Sequence, residues 1–424
     1  MEKQRSPYRW VVFGTVLFTY FLIVSQRTAP GLITDQLMKD FQVSAATIGL
    51  LTSIQFLAYA GLQIPIGILS DRFGPNVFLI TGTLLNGMGT ILYSVSSTEI
   101  LLIIARSLVG VGDATIWINL VLILSQWFKA GEFLKLLGFA GISGSLGFLM
   151  ATVPFSIWIG LFGWRIPFFA VGSILCVTSL ILYFVLVYIP SRKLPPNKKE
   201  EKKQTGKREK TWSILRRVFS TRQAWATFFC HFGLVGTYVG FIGSWAVPYG
   251  MEIYELSRSD ASQLVMIGLF GVLIGAFVTS TLSSRFPSVK RPYLIVHSIV
   301  FLCWTLLFVF GGKPPYLLGI LLFFFIGYGN GASSMTFAVV RQSFPVTEVG
   351  VVSGFANMGG FLSAVLLPSL FGKVLDSFPP SLISAGYTIG FFIPIIFSLL
   401  GLMGAILIKE EMTEITQRKQ AANL

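Results

Sequence analysis

The sequence predicts an all-α membrane protein with twelve transmembrane helices in two pseudo-symmetric bundles of six. The 424 residues are 54% hydrophobic and only 12% charged, whereas a soluble domain is about 25% charged. Twelve apolar stretches are long enough, at about 20 residues each, to cross a bilayer as a helix. Four short motifs of the first half also recur in the same order in the second half, which indicates an internal repeat.

The predicted spans follow one another with short connections, apart from one long polar loop after the sixth. Trp10 ends a short basic arm before the first span, and Pro30 predicts a kink within that span. Residues 191–223 are too polar to span, so we predict a basic linker between an N-terminal bundle (1–190) and a C-terminal bundle (224–424). The spans lie at residues 10–33, 46–69, 76–96, 99–125, 136–158, 166–189, 224–247, 261–283, 292–311, 315–340, 350–372 and 384–408.

Basic residues are distributed unevenly between the two sides of the membrane. Of the 32 Lys and Arg, 25 fall on the side of the N-terminus, which the positive-inside rule assigns to the cytoplasm. Both termini are therefore expected in the cytoplasm, and the net charge of +14 reflects topology and not nucleic-acid binding. Since no Asn-x-Ser/Thr acceptor occurs, the bacterial plasma (inner) membrane is the simplest location. The basic residues of the outer loops are Lys39, Arg165, Arg258, Lys313 and Lys373.

The second half of the chain repeats the first at an offset of 213 to 217 residues. Such a repeat predicts two parallel halves related by an axis along the membrane normal, with a substrate site between them near mid-membrane. The paired segments are LSDRFGP (69–75) and LSSRFPS (282–288), GVGDA (110–114) and GYGNGA (327–332), QWFKAGE (126–132) and QSFPVTE (342–348), and GFA (138–140) and GFA (354–356).

Three charged residues lie well within predicted spans, since Glu99 is at the edge of the fourth, and a charge costs roughly 2.5–3.5 kcal/mol at the bilayer centre. Arg106, Gly110 and Asp113 share one helix face, and Arg27 lies in the first span. The planar guanidinium of Arg27 suits bidentate binding of a carboxylate. Asp113, with Arg106 on its face, is the candidate for proton coupling. When a substrate carboxylate neutralises Arg27, Asp113 loses a favourable field and holds its proton more readily, so substrate and proton would bind together.

Each of these charges also has a structural interpretation. Arg27 could hydrogen-bond to backbone carbonyls at a helix end, and Asp113 could form hydrogen bonds that hold two helices together. Arg106 lies near the outer end of its span and could extend its charge to the membrane surface.

Polar and aromatic residues within other spans are candidates for contact with the neutral part of a substrate. In the first half, Gln55 and Tyr59 belong to a polar stripe on the second span. For any one candidate of the second half, packing is at least as good an interpretation. The candidates of the second half are Tyr238, Trp245, Tyr249, Asn330, Ser333, Ser334 and Asn357.

Cysteine and histidine are few and lack the spacing of metal ligands. We therefore expect no metal and no cofactor. His231 and His297 are predicted to be hydrogen-bonded structural residues. The cysteines, Cys176, Cys230 and Cys303, all lie in predicted spans and are expected to pack there.

Two segments of the first half carry recognisable motifs. GILSDRFGP at 67–75 resembles the signature G-x-L-x-D-R-x-G of the major facilitator superfamily, and RSLVGVGDA at 106–114 resembles its helix 4 pattern. The resemblance covers essentially the whole chain and implies a transporter that works by alternating access.

The connection after the second span also contains the candidate gate. We predict that Asp71 and Arg72, with Gly67 and Gly74 of the motif, form a latch in which the carboxylate caps a neighbouring helix N-terminus or binds a basic group. Ser284 replaces the aspartate in the second half, so that copy of the latch is expected to be weaker.

A narrower resemblance is to the anion:cation symporter family, which includes hexuronate, galactonate and sialin-like carriers. It implies carboxylate binding by Arg27 and Tyr59 and proton coupling through Asp113. Gln26 stands where that family tends to have an aspartate, which removes one of its two usual acids. The remaining matches are Gln63, Pro65 and Gly67 in the second span, Trp245, Pro248 and Tyr249 in the seventh, and Gly354 and Asn357 in the eleventh.

Proton-coupled import of a small organic anion, a carboxylate, is the function that the sequence favours. The alternatives are a carrier of a neutral or zwitterionic solute such as a sugar or peptide, an exporter, and a transporter-like membrane receptor. An enzyme is not expected, because no Ser/His/Asp set or phosphate-binding loop occurs. The expected partners are the small-molecule substrate, protons and the lipid bilayer, and we expect a monomer.

Overall fold

The computed structural model of the chain describes residues 6–42, 45–151, 153–193, 211–282, 288–345 and 347–409. Within this part, eleven helices are long and apolar enough to cross a membrane. The 29-residue helix Ala45–Phe73 is a further long helix. No strand occurs in these ranges. The predicted class, an all-α membrane protein, is confirmed.

The helices are numbered in chain order over the described residues. Those before the basic linker are α1 (Arg9–Thr28), α2 (Thr34–Phe41), α3 (Ala45–Phe73), α4 (Pro75–Val95), α5 (Glu99–Trp127), α6 (Ala130–Met150), α7 (Val153–Phe162), α8 (Arg165–Tyr183) and α9 (Ile189–Lys193). Those that follow are α10 (Thr211–Ser220), α11 (Arg222–His231), α12 (Thr237–Ile242), α13 (Ala246–Tyr254), α14 (Arg258–Leu282), α15 (Lys290–Val309), α16 (Tyr316–Ala332), α17 (Met335–Ser343), α18 (Val349–Asp376), α19 (Ile383–Gly390) and α20 (Phe392–Leu407).

Several predicted spans are interrupted. A 3₁₀ turn at Ala29–Ile33 follows α1, where Pro30 predicts a kink. π-helical turns at Phe184–Tyr188 and Phe232–Gly236 continue α8 and join α11 to α12. Such turns insert one extra residue and often lie near functional sites. Helix α2 occupies a stretch that the sequence analysis treats as a loop between spans.

The Cα positions separate into two compact units. The first contains Met1–Phe133, Phe139–Val218 and Val346–Gly354. Its central helix is α5, which packs along both α3 and α4 and is largely buried. The helix begins after Thr98, whose hydroxyl accepts a hydrogen bond from the N–H of Leu101 at 3.3 Å. Because α5 is central, its polar side chains face protein instead of lipid.

The second unit contains Leu134–Gly138, Phe219–Pro345 and Phe355–Leu424. Its most buried segment is Arg222–Ile242, which packs on α20, while α14 packs along α16. An aromatic cluster fills the interior of the unit, and rings in such contact add to the stability from burial. Its rings belong to Phe241, Tyr249, Trp304, Phe323, Phe371, Tyr387 and Phe391.

The predicted division into bundles 1–190 and 224–424, joined by the linker 191–223, stays a prediction. Residues 194–210 of that linker lie outside the described residues, as does Ser284, the predicted weaker copy of the latch.

Candidate functional site

A buried ion pair joins the last turn of α1 to the middle of α5. The Nε–H of Arg27 donates to Oδ2 of Asp113 at 3.0 Å. The Arg27 side chain is 12% exposed and that of Asp113 is 1% exposed. Tyr59 of α3 lies beneath the guanidinium, whose carbon is 5.2 Å from the ring centre. Removing one partner of such a pair costs about 3–5 kcal/mol, because the other charge is left buried and unpaired.

Gln55 of α3 connects this ion pair to the second arginine. Its Nε2 donates to Oδ2 of Asp113 at 2.7 Å, and its Oε1 accepts a hydrogen bond from Nη2 of Arg106. Arg106 is only 3% exposed and its guanidinium lies over the ring of Tyr93. It therefore does not extend to the membrane surface, and that interpretation of the sequence is wrong.

Close contact between α3 and α5 holds Gln55 in place. A Cβ atom on Gly110 would lie 2.7 Å from the carbonyl oxygen of Gln55 and 3.0 Å from its Cα. Only glycine permits this approach, and it brings the two helices close enough for one amide to reach both charged residues of α5. Together, Arg27, Gln55, Tyr59, Arg106 and Asp113 form what we call the charged cluster.

A network of neutral side chains lies in the same first unit. Nε2 of Gln26 donates to Oδ1 of Asn86 at 2.8 Å, and the hydroxyl of Thr90 donates to Oε1 of Gln26 at 3.3 Å. All three side chains are buried. Gln26 is therefore satisfied as an amide, without any acid. The sequence analysis missed Asn86 and Thr90, although an asparagine in the middle of an apolar span was the available signal.

The site candidates of the second half lie on different helices. Tyr238 is buried in α12, and Asn330 is half-buried near the end of α16. Trp245 precedes α13, where its Nε1 donates to the carbonyl of Pro368 at 3.2 Å. Ser334 is buried before α17, and its hydroxyl has no hydrogen-bond partner among the described residues.

Another candidate, Asn357 of α18, hydrogen-bonds to His231. His231 Nδ1 lies 3.3 Å from the hydroxyl of Thr336, and that hydroxyl lies 2.6 Å from the hydroxyl of Tyr293. The sequence analysis predicts hydrogen bonding for His231 but not these partners. Tyr249, predicted as a candidate cavity residue, is instead buried, and its hydroxyl donates to the carbonyl of Gly312 at 2.7 Å.

The candidate latch lies at the end of α3. The carboxylate of Asp71 accepts hydrogen bonds from the backbone N–H groups of Gly350 and Val351, both at 2.9 Å. These groups belong to the first turn of α18, where a helix leaves N–H groups without partners and favours negative charge. Close packing supports the contact, because a Cβ on Gly67 would lie 2.5 Å from the carbonyl oxygen of Gly350.

The other predicted latch residues flank this contact. Gly74 connects α3 to α4 with a φ of 87°, a conformation that favours glycine. Arg72 is exposed. Glu348, just before α18, forms an ion pair with Arg217.

Three comparisons with known proteins agree with this architecture. Residues 16–368 match the sequence profile of the family described as Major Facilitator Superfamily. "Probable anion transporter 4, chloroplastic" of Oryza sativa subsp. japonica is 26% identical over 388 residues, which cover 88% of this chain. The chain spans 65% of the length of that relative.

Another relative is covered more fully, and a solved structure is similar in fold. "Probable sulfoacetate transporter SauU" of Cupriavidus necator is 23% identical over 401 residues, covering 88% of this chain and 89% of the relative. A crystal structure of the E. coli fucose:proton symporter, FucP, has a TM-score of 0.69 at 16% identity. The match covers 95% of this chain and 100% of that chain.

Proposed function

The chain belongs to the major facilitator superfamily of transporters, and from this premise we propose that it imports a small organic anion, a carboxylate, together with a proton. It is a multi-pass integral membrane protein and not an enzyme. The observation that supports the proposal best is the ion pair between Arg27 and Asp113, buried in two membrane-spanning helices. Charges in such helices are functional by default.

The pair favours binding of the proton and the anion together. A proton on Asp113 alone would leave Arg27 without an anionic partner. An anion on Arg27 alone would place a second negative charge beside Asp113. When both bind, a neutral acid lies beside an arginine paired with the substrate, and neither the unpaired arginine, at about 3–5 kcal/mol, nor the repulsion between two negative charges arises. By linkage, the proton then raises the affinity for the anion as much as the anion raises the affinity for the proton.

The neighbouring residues suit a carboxylate. Tyr59 lies beneath the guanidinium of Arg27 and holds its plane by a cation–π contact. A planar guanidinium recognises a carboxylate through two parallel N–H donors. Two relatives named as anion and sulfoacetate transporters are consistent with an anionic substrate. We infer the same class of substrate for this chain, moved by alternating access across a bacterial plasma membrane, with both termini in the cytoplasm.

In the second unit we propose five residues as substrate contacts, because their groups suit hydroxyl or amide parts of a substrate. Ser334 is the best supported of them, because its buried hydroxyl has no partner within the described residues. The set is Tyr238, Trp245, Asn330, Ser334 and Asn357.

We also propose that Asp71 acts as a latch on the first turn of α18, with Gly67 and Gly74 permitting the close approach and Arg72 at its exposed side. Two backbone N–H groups donate to the carboxyl group of Asp71 in this contact. During transport it would break and re-form, so its strength would set the balance between conformations.

The latch predicts a pH-dependent stability. Asp71 follows the predicted span 46–69, and burial raises its pKa to about 8, although the N–H donors of Val351 and Gly350 oppose this. An unfolded aspartate titrates near pH 3.9, so the folded protein binds this proton more tightly. The contribution of Asp71 is therefore full below about pH 4 and is lost as the pH rises through about 8. Thermal unfolding should show wild type losing stability relative to Asp71→Asn as the pH rises from about 4 to about 8.

The control for this comparison is Asp40→Asn, because Asp40 is exposed and accepts from Nε1 of Trp164 at 2.9 Å. A difference in stability between wild type and Asp71→Asn that stays constant over this pH range would contradict a raised pKa of Asp71 in the folded protein.

The experiment that tests the proposed function is a ligand panel on the purified protein. Sugar acids, aromatic acids, dicarboxylates, neutral sugars and dipeptides are added one at a time, and thermal unfolding is followed. A ligand at a hundred times its dissociation constant stabilises by about 2.7 kcal/mol, which is readily measured. We expect stabilisation by acids alone, and more of it at low pH. Stabilisation by neutral compounds would instead support a sugar or peptide carrier.

A further inference from the structure

We propose that Oδ1 of Asp113 is the atom that carries the transported proton, and that Gln55, held by Arg106, is the positioning residue that directs the proton there. The inference rests on the proposed function, because it assumes that Asp113 is the coupling acid. It adds the atom that is protonated and the residues that select it.

The first step is the orientation of the Gln55 amide. An amide presents an oxygen acceptor at one side and an NH₂ donor at the other, while a guanidinium has donors only. Arg106 Nη2 contacts one side of this amide, so the oxygen must face Arg106. The NH₂ group then faces Asp113, where its nitrogen lies 2.7 Å from Oδ2. Arg106 thus fixes which group of Gln55 meets the carboxylate.

The second step is a count of acceptor positions on Asp113. A carboxylate oxygen has two lone-pair positions. Oδ2 accepts from Nε2 of Gln55 and from Nε of Arg27, so both of its positions are occupied. Oδ1 is buried and has no hydrogen-bond partner among the described residues. A proton that arrives at Asp113 can therefore bind only at Oδ1, unless a donor first leaves Oδ2.

The third step concerns the other charged and titratable groups near Asp113. Arg27 and Tyr20 of α1 and Arg106 of α5 interact electrostatically with Asp113. The rings of Tyr59 and Tyr93 lie against the guanidinium groups of Arg27 and Arg106. The tyrosines are neutral, so two permanent cations surround one acid. Gln55 lies between Arg106 and Asp113 and forms one hydrogen bond with each of them. Among the described residues, Arg27 is the ion-pair partner of this acid, and it is the partner that a substrate anion can take over.

Infrared difference spectroscopy of the purified protein, without substrate, can test the assignment. A protonated carboxylic acid gives a carbonyl stretching band, and hydrogen bonds to that carbonyl lower its frequency. If the proton lies on Oδ1, the carbonyl oxygen is Oδ2, which accepts from Gln55. Gln55→Leu should therefore shift the Asp113 band to higher frequency. The band is identified by its loss in Asp113→Asn.

Matched variants keep the measurement interpretable. Gln63→Leu removes another buried amide of α3, one whose Nε2 donates to the carbonyl of Tyr59 at 3.0 Å, and it should leave the band in place. Arg106→Met keeps Gln55 but removes the donor that orients it, so the band should broaden as the amide turns over. Should Gln55→Leu fail to fold, Gln55→Met and Arg106→Met supply the same test. The spectra are also recorded with Arg27→Gln, in which Asp113 has lost its ion-pair partner.

The outcomes separate this inference from the proposed function. A band that Asp113→Asn removes and Gln55→Leu leaves unshifted would place the proton on Oδ2, and would overturn the assignment while Asp113 stayed the coupling acid. If neither wild type nor Arg27→Gln shows such a band, the assignment and proton coupling through Asp113 both fail. An upward shift in Gln55→Leu with none in Gln63→Leu supports the assignment.

Discussion

Replacing Asp113 by asparagine is expected to abolish proton-driven accumulation of the substrate and to leave exchange of substrate across the membrane. Asparagine has nearly the shape of a protonated aspartate and cannot release a proton. The side-chain oxygen of the asparagine accepts a hydrogen bond from Gln55 or Arg27, so the other residues of the charged cluster stay in place. The variant should therefore bind the anion at Arg27 and move it in both directions without using the pH gradient.

The expected effect can be stated as an accumulation ratio. One pH unit is worth 1.36 kcal/mol per proton, which sustains about tenfold accumulation when one proton accompanies each anion and the membrane potential is zero. In Asp113→Asn the ratio should fall to about one. The measurement uses proteoliposomes with an imposed pH gradient and a radiolabelled acid from the ligand panel, and exchange is measured as counterflow.

Asp40→Asn is the control, because it removes a carboxylate of the same unit that accepts from Trp164 and lies in no predicted span. It should keep both accumulation and exchange. If Asp113→Asn loses counterflow as well as accumulation, Asp113 is a structural tie between helices and the coupling role fails. If accumulation persists, the proton is carried elsewhere.

Length and hydropathy were enough to predict the long apolar helices of this chain. The predicted span 76–96 corresponds to α4, Pro75–Val95, and the span 350–372 falls within α18, Val349–Asp376. Each requires only a long apolar run bounded by polar residues. Helix α2 was not predicted, because its eight residues, TDQLMKDF, are too short and too polar for that criterion.

The contacts of the charged cluster could not be predicted in the same way. The sequence identifies Arg27 and Asp113 as charges within spans, but they are 86 residues apart, and hydropathy does not say which helices pack together. Gln55 was identified as polar, yet its role depends on the approach of α3 to α5 at Gly110. Spacing on one helix predicts a shared face, whereas a bridge between helices depends on packing.

Replacing Arg27 by alanine is expected to remove the response of the protein to carboxylates. A charge-assisted, bidentate contact of this kind contributes about 2–3 kcal/mol, which is roughly a hundredfold in affinity. At a concentration that gives wild type about 2.7 kcal/mol of stabilisation, the variant should gain only about 0.4 kcal/mol. The measurement is thermal unfolding of both proteins against the acids that stabilise wild type.

Two further variants separate loss of binding from loss of structure. Arg27→Ala leaves Asp113 buried without its cation, which costs about 3–5 kcal/mol, so the variant should unfold at a lower temperature even without ligand. Adding Asp113→Asn removes that unpaired charge and should restore stability, but not the response to acids. The control is Arg9→Ala, which breaks the ion pair between Arg9 and Glu132 at 3.1 Å. This variant should respond to acids as wild type does. Equal responses in wild type and in Arg27→Ala would show that Arg27 only holds Asp113, and the anion would then bind elsewhere.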